Sequence, residues 1–284
     1  MRFKTGQQLI DKIRGKKAEH DLPPVRILNT SLSDNGDYPQ FCLKASLDDE
    51  IFKNFKRYKV YNEILEHVGY DLGLKYYDEI KKLDVSLLKD NLITEFKKND
   101  KVGNPILFNF NEIENISGST LRYIHVLAKL KQLFGSLDNK KICEIGVGYG
   151  GQCRILSSFF KLKSYTLIDL KPVLGLAQKY LDNYPLNTVI EYKTMNELSY
   201  DKEYDLVISN YAFSEISKEF QKIYLDKVIK KSKSGFMIMN QIAPDGFEQY
   251  SQDELLNAIP NSQIIKEIPL TYHSNYIITW GSNG

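Results

Sequence analysis

Apolar residues change their spacing part-way along this chain. Over the first third the spacing is helical: Ile51, Phe52, Phe55, Ile64 and Leu65 fall on one helix face, and Leu83, Leu87, Leu88, Leu92 and Phe96 on another. The segment SLDD offers Ser46 as an N-cap with Asp49 three residues on, a capping-box-like start. Residues 21–45 carry Pro-Pro, Asn, Gly and Ser and read as an irregular connection. Residues 1–105 are therefore expected to form a mainly helical N-terminal region, with no recognisable chemical motif. A further helix is expected from near Ser119, with Tyr123, Leu127, Leu130 and Phe134 at helical spacing and Gly135 placed to end it.

Beyond that helix, short apolar runs alternate with helical stretches: KICEIG, SYTLIDL, TVIEY, YDLVISN and GFMIMN. Such alternation predicts a parallel sheet covered on both faces. The last two runs, SQIIKEIPL and NYIITW, are separated only by TYHS, so that pair must be antiparallel. The expected fold is α/β: a doubly wound, mostly parallel sheet over residues 106–284 with a C-terminal antiparallel strand pair.

The composition supplies core material, with 42% hydrophobic residues including 19 Tyr and 14 Phe. A net charge of +2, with Lys-Lys pairs balanced by nearby acids, argues against a nucleic-acid partner. Three widely spaced cysteines, no CxxC and no Cys/His cluster suggest neither a disulfide framework nor zinc. The first residues, MRFKTGQQLIDKIRGKK, lack the apolar core of a signal peptide. No segment approaches the roughly 18 apolar residues of a membrane span, so a cytoplasmic location is expected.

The chemical signal is Glu144-Ile145-Gly146-Val147-Gly148-Tyr149-Gly150-Gly151-Gln152, between a strand-like and a helix-like run. Glycines suit a tight turn that a ligand must approach closely. Gly146, Gly148 and Gly151 satisfy the dinucleotide pattern GxGxxG, and Asp169, ending the next strand, suits a ribose hydroxyl in either case. Three features favour S-adenosylmethionine (SAM) over NAD. A carboxylate at Glu144 attracts a sulfonium and ammonium cation and repels a pyrophosphate. Only about 130 residues follow the motif, little room for a separate catalytic domain. The antiparallel end suits a methyltransferase sheet.

On these residues the chain resembles class I SAM-dependent methyltransferases over about residues 115–280. More narrowly it resembles the sugar O-methyltransferases found among bacterial surface-polysaccharide genes, through EIGVGYGGQ (144–152), YTLIDLKPVLGLAQKYL (165–181), DLVISNYAFSEI (205–216) and NYIITW (275–280). The resemblance implies a Rossmann-like methyltransferase sheet. It implies that Glu144, Gly146, Gly148, Gly150, Gly151 and Gln152 line the methionine half of SAM, and that Asp169 and Leu170 lie at the ribose. Met195 and Asn196 would lie beside adenine, with Asn196 or Glu197 in place of the acid common there, and Asn210 would also border the cofactor. A sugar of a surface polysaccharide, or of its nucleotide-linked precursor, would be the acceptor.

A sugar hydroxyl needs a general base or a metal to become a nucleophile. Glu215 and Tyr211, after the fourth strand, and His273, in the loop before the last, are the catalytic candidates. For Glu215 the alternative is a first-turn acid on a helix capped by Ser214; for His273 it is a surface histidine. His125 and Arg122, on the helix before the glycine turn, read as a packing histidine and a surface arginine, or as a pocket wall and a carboxylate site. Asn240 is a further sugar contact. No Asp-Asp pair or His-x-x-x-His marks a metal. Other readings stay open: a phosphate or amine acceptor, an NAD-dependent enzyme, or a non-catalytic SAM-binding partner protein. The helical region would cover the substrate or make a homodimer contact.

Overall fold

The fold is that of a computed structural model, in which residues 32, 36–240, 242 and 246–282 are described. The part of the expected helical region before residue 32 lies outside them, as do residues 33–35. The described helices before the sheet are α1 (Asp37–Leu47), α2 (Asp49–Lys53), α3 (Lys59–Asn62), α4 (Tyr70–Asp84) and α5 (Asp90–Lys97). The irregular connection expected up to residue 45 is thus corrected, because α1 begins at Asp37. Pro39 sits in the first turn, where its missing N–H has no partner to lose; the first helical bond is from Gln40 N–H to Gly36 O.

The expected cap shifts as well. Asp48, not Ser46, caps α2, its Oδ1 accepting from the N–H of Glu50 (2.8 Å) and Ile51 (3.2 Å). Ser46 lies in α1, where its hydroxyl donates to Leu43 O. The two long apolar faces expected here are each broken into shorter pieces. At the second break, Asp84 accepts from Ser86 N–H and starts a 3-10 turn (Val85–Leu88) between α4 and α5. A hairpin of β1 (Phe108–Phe110) and β2 (Ile113–Ile116) follows, unforeseen from the sequence. Helix α6 (Gly118–Phe134) matches expectation: Ser117 Oγ caps Thr120 N–H, and Gly135 ends it at φ 71°.

Next come β3 (Lys141–Ile145), α7 (Gly151–Phe159), β4 (Ser164–Ile168), α8 (Lys171–Leu181), β5 (Val189–Lys193), β6 (Tyr204–Asn210), α9 (Lys218–Lys227), β7 (Ser232–Met239), α10 (Gln252–Ala258), β8 (Gln263–Lys266) and β9 (Tyr276–Trp280). The seven-stranded sheet has the order β5-β4-β3-β6-β7-β9-β8. Strands β3 to β7 are parallel, and β9 is inserted antiparallel between β7 and β8. This is the expected Rossmann-like methyltransferase sheet. Because β8 runs with β7, the residues after β8 and before β9 share one edge with the carboxyl ends of β3 to β7.

One core cluster joins the N-terminal helices to the sheet; its members include Phe55, Tyr61, Tyr77, Tyr149, Tyr165 and Tyr180. Tyr149, from the glycine turn, is its hub, with the rings of Tyr180, Phe55 and Tyr123 at 4.7, 5.6 and 6.0 Å. Each such pair contributes roughly 0.5–1.5 kcal/mol beyond area burial. No helix among the described residues is long and apolar enough to cross a membrane.

Candidate functional site

The glycine turn leaves β3 with Gly146, Gly148 and Gly150 at φ 75°, 53° and 85°, a region that costs other residues about 1–2 kcal/mol each. Space restricts it further. A methyl on Gly146 would stand 1.9 Å from Ala212 Cβ, and one on Gly148 would stand 2.7 Å from Leu65 Cδ1. The helical region is thereby packed directly onto the turn.

Two carboxylates meet there. Glu144 is 2% exposed and accepts a hydrogen bond from Tyr165 OH at 2.7 Å. Burial, reinforced by the charge on Asp169, pushes it up to about 8 against the pull of Tyr165. Asp169 follows β4. Its Oδ2 accepts from the N–H of Val147 (2.7 Å) and Gly148 (3.2 Å), and its Oδ1 from Leu170 N–H (2.7 Å). Burial raises Asp169 to about 6, and those three amides oppose the rise. A pyrophosphate would find two turn amides already committed to an acid, so the turn is ill suited to a dinucleotide.

The other cofactor candidates divide into two groups. Asn210, at the end of β6, has a buried Oδ1 with no hydrogen-bond partner, an acceptor available to a ligand donor. Met195 is half-buried and Asn196 exposed, on the turn after β5. Glu197 is spent on a capping box with Thr194, accepting from its N–H and hydroxyl at 2.7 Å. Gln152 faces inward, its Nε2 donating to Tyr123 O (3.2 Å), and Gly151 is packed against Tyr123 and Tyr149.

No family model and no curated protein matches this chain. Solved structures resemble it at low identity. One is magnesium protoporphyrin IX methyltransferase from Synechocystis PCC 6803 with bound SAM, at 14% identity and TM-score 0.44, covering 70% of this chain and 95% of that one. Another is an S-adenosylmethionine-dependent methyltransferase from Clostridium acetobutylicum, at 13% and 0.42, covering 56% and 90%. A third is phosphoethanolamine N-methyltransferase 2 from Haemonchus contortus, at 16% and 0.43, covering 68% and 46%. Likenesses of this size assign neither substrate nor activity.

On the β6–β8 half of the carboxyl edge, Glu215 accepts from Asn240 Nδ2 at 2.8 Å. Burial raises its carboxyl, and Asn240 partly opposes this. The helix-cap alternative is corrected: Glu215 ends a 3-10 turn (Ala212–Glu215), Ser214 bonds to Tyr211 O and Asn240 instead, and α9 starts only at Lys218. Tyr211 holds φ 70°, and its hydroxyl donates to Glu267. Glu267, 5% exposed just after β8, also accepts from Thr271 N–H and Oγ (2.9 Å each). Sequence reasoning missed Glu267; it lies in an irregular loop 56 residues from its partner. His273 is exposed against Tyr272, with ring centroids 4.2 Å apart. His125 is buried beside Tyr76, its Nε2 unpartnered; burial pushes it down to about 3, too low to act as a base near neutrality. Arg122, read as a surface residue in one alternative, is buried.

Among the described residues, no three His, Cys, Asp or Glu side chains group to hold a metal. A separate cavity of about 120 Å³ lies between Asn62, Glu66, His67, Phe108 and Ser117. It is smaller than the roughly 300 Å³ and upward of small-molecule sites.

Proposed function

We propose that this chain is a SAM-dependent methyltransferase that methylates a hydroxyl of a sugar, in a surface polysaccharide or its nucleotide-linked precursor. The observation that carries the cofactor is the acid pair at the glycine turn, Glu144 on β3 and Asp169 after β4, with an unpartnered Asn210 Oδ1 at the end of the neighbouring β6, on a sheet with an inserted antiparallel strand. These groups fit a cationic amino acid joined to a nucleoside. Glu144 and Asn210 would take the ammonium end, Asp169 the ribose, and Met195 with Asn196 the base. Bound there, SAM supplies an already activated methyl group.

The chain's own task is to orient the acceptor and take its proton. Glu215 suits the proton: a buried carboxyl with a raised pKa, steered by Asn240, is better matched to a hydroxyl at neutral pH than a solvated one. Tyr211, Asn240 and Thr271 offer hydrogen bonds to sugar hydroxyls. The sugar assignment rests on the resemblance of residues 144–152 and 205–216 together with this polar edge. The described helices before the sheet serve as a cover over it, consistent with the packing of Leu65 on Gly148. The test is transfer of labelled methyl from SAM to a panel of oligosaccharides and nucleotide sugars. A methylated sugar confirms the reading. Transfer only to amine or phosphate acceptors refutes the sugar assignment.

A further inference from the structure

Two arginines are buried among the described residues, and they are treated differently. Arg154, 1% exposed, has its counter-charge: Glu95 Oε1 lies 2.5 Å from Nη2, and Phe96 O accepts from Nη1. Arg122, 7% exposed on α6, has a backbone carbonyl, Leu65 O, at 3.1 Å from Nη2 and the ring of Tyr123 at 5.4 Å. Its Nε, like that of Arg154, has no hydrogen-bond partner; what sets Arg122 apart is that among the described residues no carboxylate forms an ion pair with it. An uncompensated buried cation with a free donor is costly unless something anionic completes it.

The nearby carboxyls do not fill that role. Glu66 is shared, attracted first by Lys56 and less by Arg122, and burial raises its carboxyl. Glu267 is engaged by Tyr211 and Thr271. The polar groups sharing the field of Arg122 are the hydroxyls of Tyr123, its neighbour on α6 and a side-chain hydrogen-bond partner, of Tyr76, on α4, and of Tyr211, after β6. Tyr211 leads on to Glu267 after β8. Tyr211 and Glu267 lie on the β6–β8 half of the edge, while Leu65, whose carbonyl accepts from Arg122, packs on Gly148 of the glycine turn, so Arg122 stands between the two halves.

We infer that Arg122, with Tyr76 beside it, binds an anionic group, a carboxylate or phosphate, carried by the acceptor. A planar guanidinium takes such groups in a fork geometry that a neutral sugar cannot use. The inference deepens the proposed function and takes only the word acceptor from it.

The test is calorimetric titration with glucuronate, glucose and inorganic phosphate, on the free protein and on protein saturated with S-adenosylhomocysteine (SAH). The wild type is compared with Arg122→Gln and Arg122→Lys. Glucuronate or phosphate is expected to bind the wild type at least about tenfold more tightly than glucose. Arg122→Gln loses that preference, Arg122→Lys keeps part of it, and SAH affinity changes less than about threefold in both. Should Arg122→Gln fail to fold, the wild-type preference and the lysine variant decide the matter. Equal binding of glucuronate and glucose with no phosphate binding overturns the inference, as does anion binding unchanged by substitution. A large loss of SAH affinity with anion binding retained also overturns it, and assigns Arg122 to the donor's carboxylate. Absence of SAH binding in the wild type sinks the methyltransferase reading instead, and the titration of free protein still judges the anion site.

Discussion

Replacing Glu144 with glutamine should change the pH dependence of stability in a defined direction. The carboxyl is buried with Tyr165 OH as its hydrogen-bond donor, and its folded value of about 8 exceeds the ordinary 4.5. A carboxyl raised on folding contributes its full stability below the unfolded value. As pH rises from 4.5 to about 8, the unfolded chain gives up the proton that the folded chain keeps, and stability falls. The gap, at about 1.4 kcal/mol per pH unit, sets a ceiling of roughly 5 kcal/mol. Glutamine is nearly isosteric and does not titrate. The advantage of Glu144→Gln over the wild type should therefore grow between pH 5 and pH 8, by at most about 1.4 kcal/mol for each unit. Urea unfolding of both proteins at pH 5, 6, 7 and 8 measures this. A constant offset between the two stability profiles would refute the reasoning.

Further outcomes are expected. Binding of SAH at pH 7 should release up to about one proton, because its ammonium favours the ionised form of Glu144; calorimetry in buffers of different ionisation enthalpy counts the protons, and an equal count in Glu144→Gln would contradict the assignment. Gly146→Ala places a methyl 1.9 Å from Ala212 Cβ at φ 75°, which should cost roughly 2–5 kcal/mol; a thermal midpoint within about two degrees of wild type would count against that geometry. Glu215→Gln should lower methyl transfer by about 10²–10⁴ with SAH binding retained. The wild-type rate should rise with pH through a midpoint above the usual carboxylate range, and Asn240→Ala, removing the amide that opposes the shift, should move that midpoint higher.

The sheet was legible in the sequence for a physical reason. Parallel strands buried on both faces read as unbroken apolar runs, and those at 206–208 and 236–239 stand out against the helices around them. The glycine turn was legible because its positive φ values admit few other residues. In the N-terminal region the helical character was legible and the breaks were not. Phe52, Phe55 and Tyr61 belong to short turns whose burial is set by Tyr149 and its neighbours about ninety residues away, so their spacing follows no single helical period. The hairpin at 108–116 turns on Asn111 at positive φ rather than on an Asn-Gly pair. At the site, Asp169 and Asn210 were placed by strand ends. The pairing of Tyr211 with Glu267, and the burial of Arg122 without a carboxylate, depend on contacts between distant segments that no local pattern encodes.

The central claim is tested most directly by calorimetric titration of the purified protein with SAH, with NAD in parallel. Micromolar binding of SAH and none of NAD is the expected result, given two acids at the glycine turn and two of its amides already committed to Asp169. Binding of NAD alone would return the turn to the dinucleotide class and contradict the account.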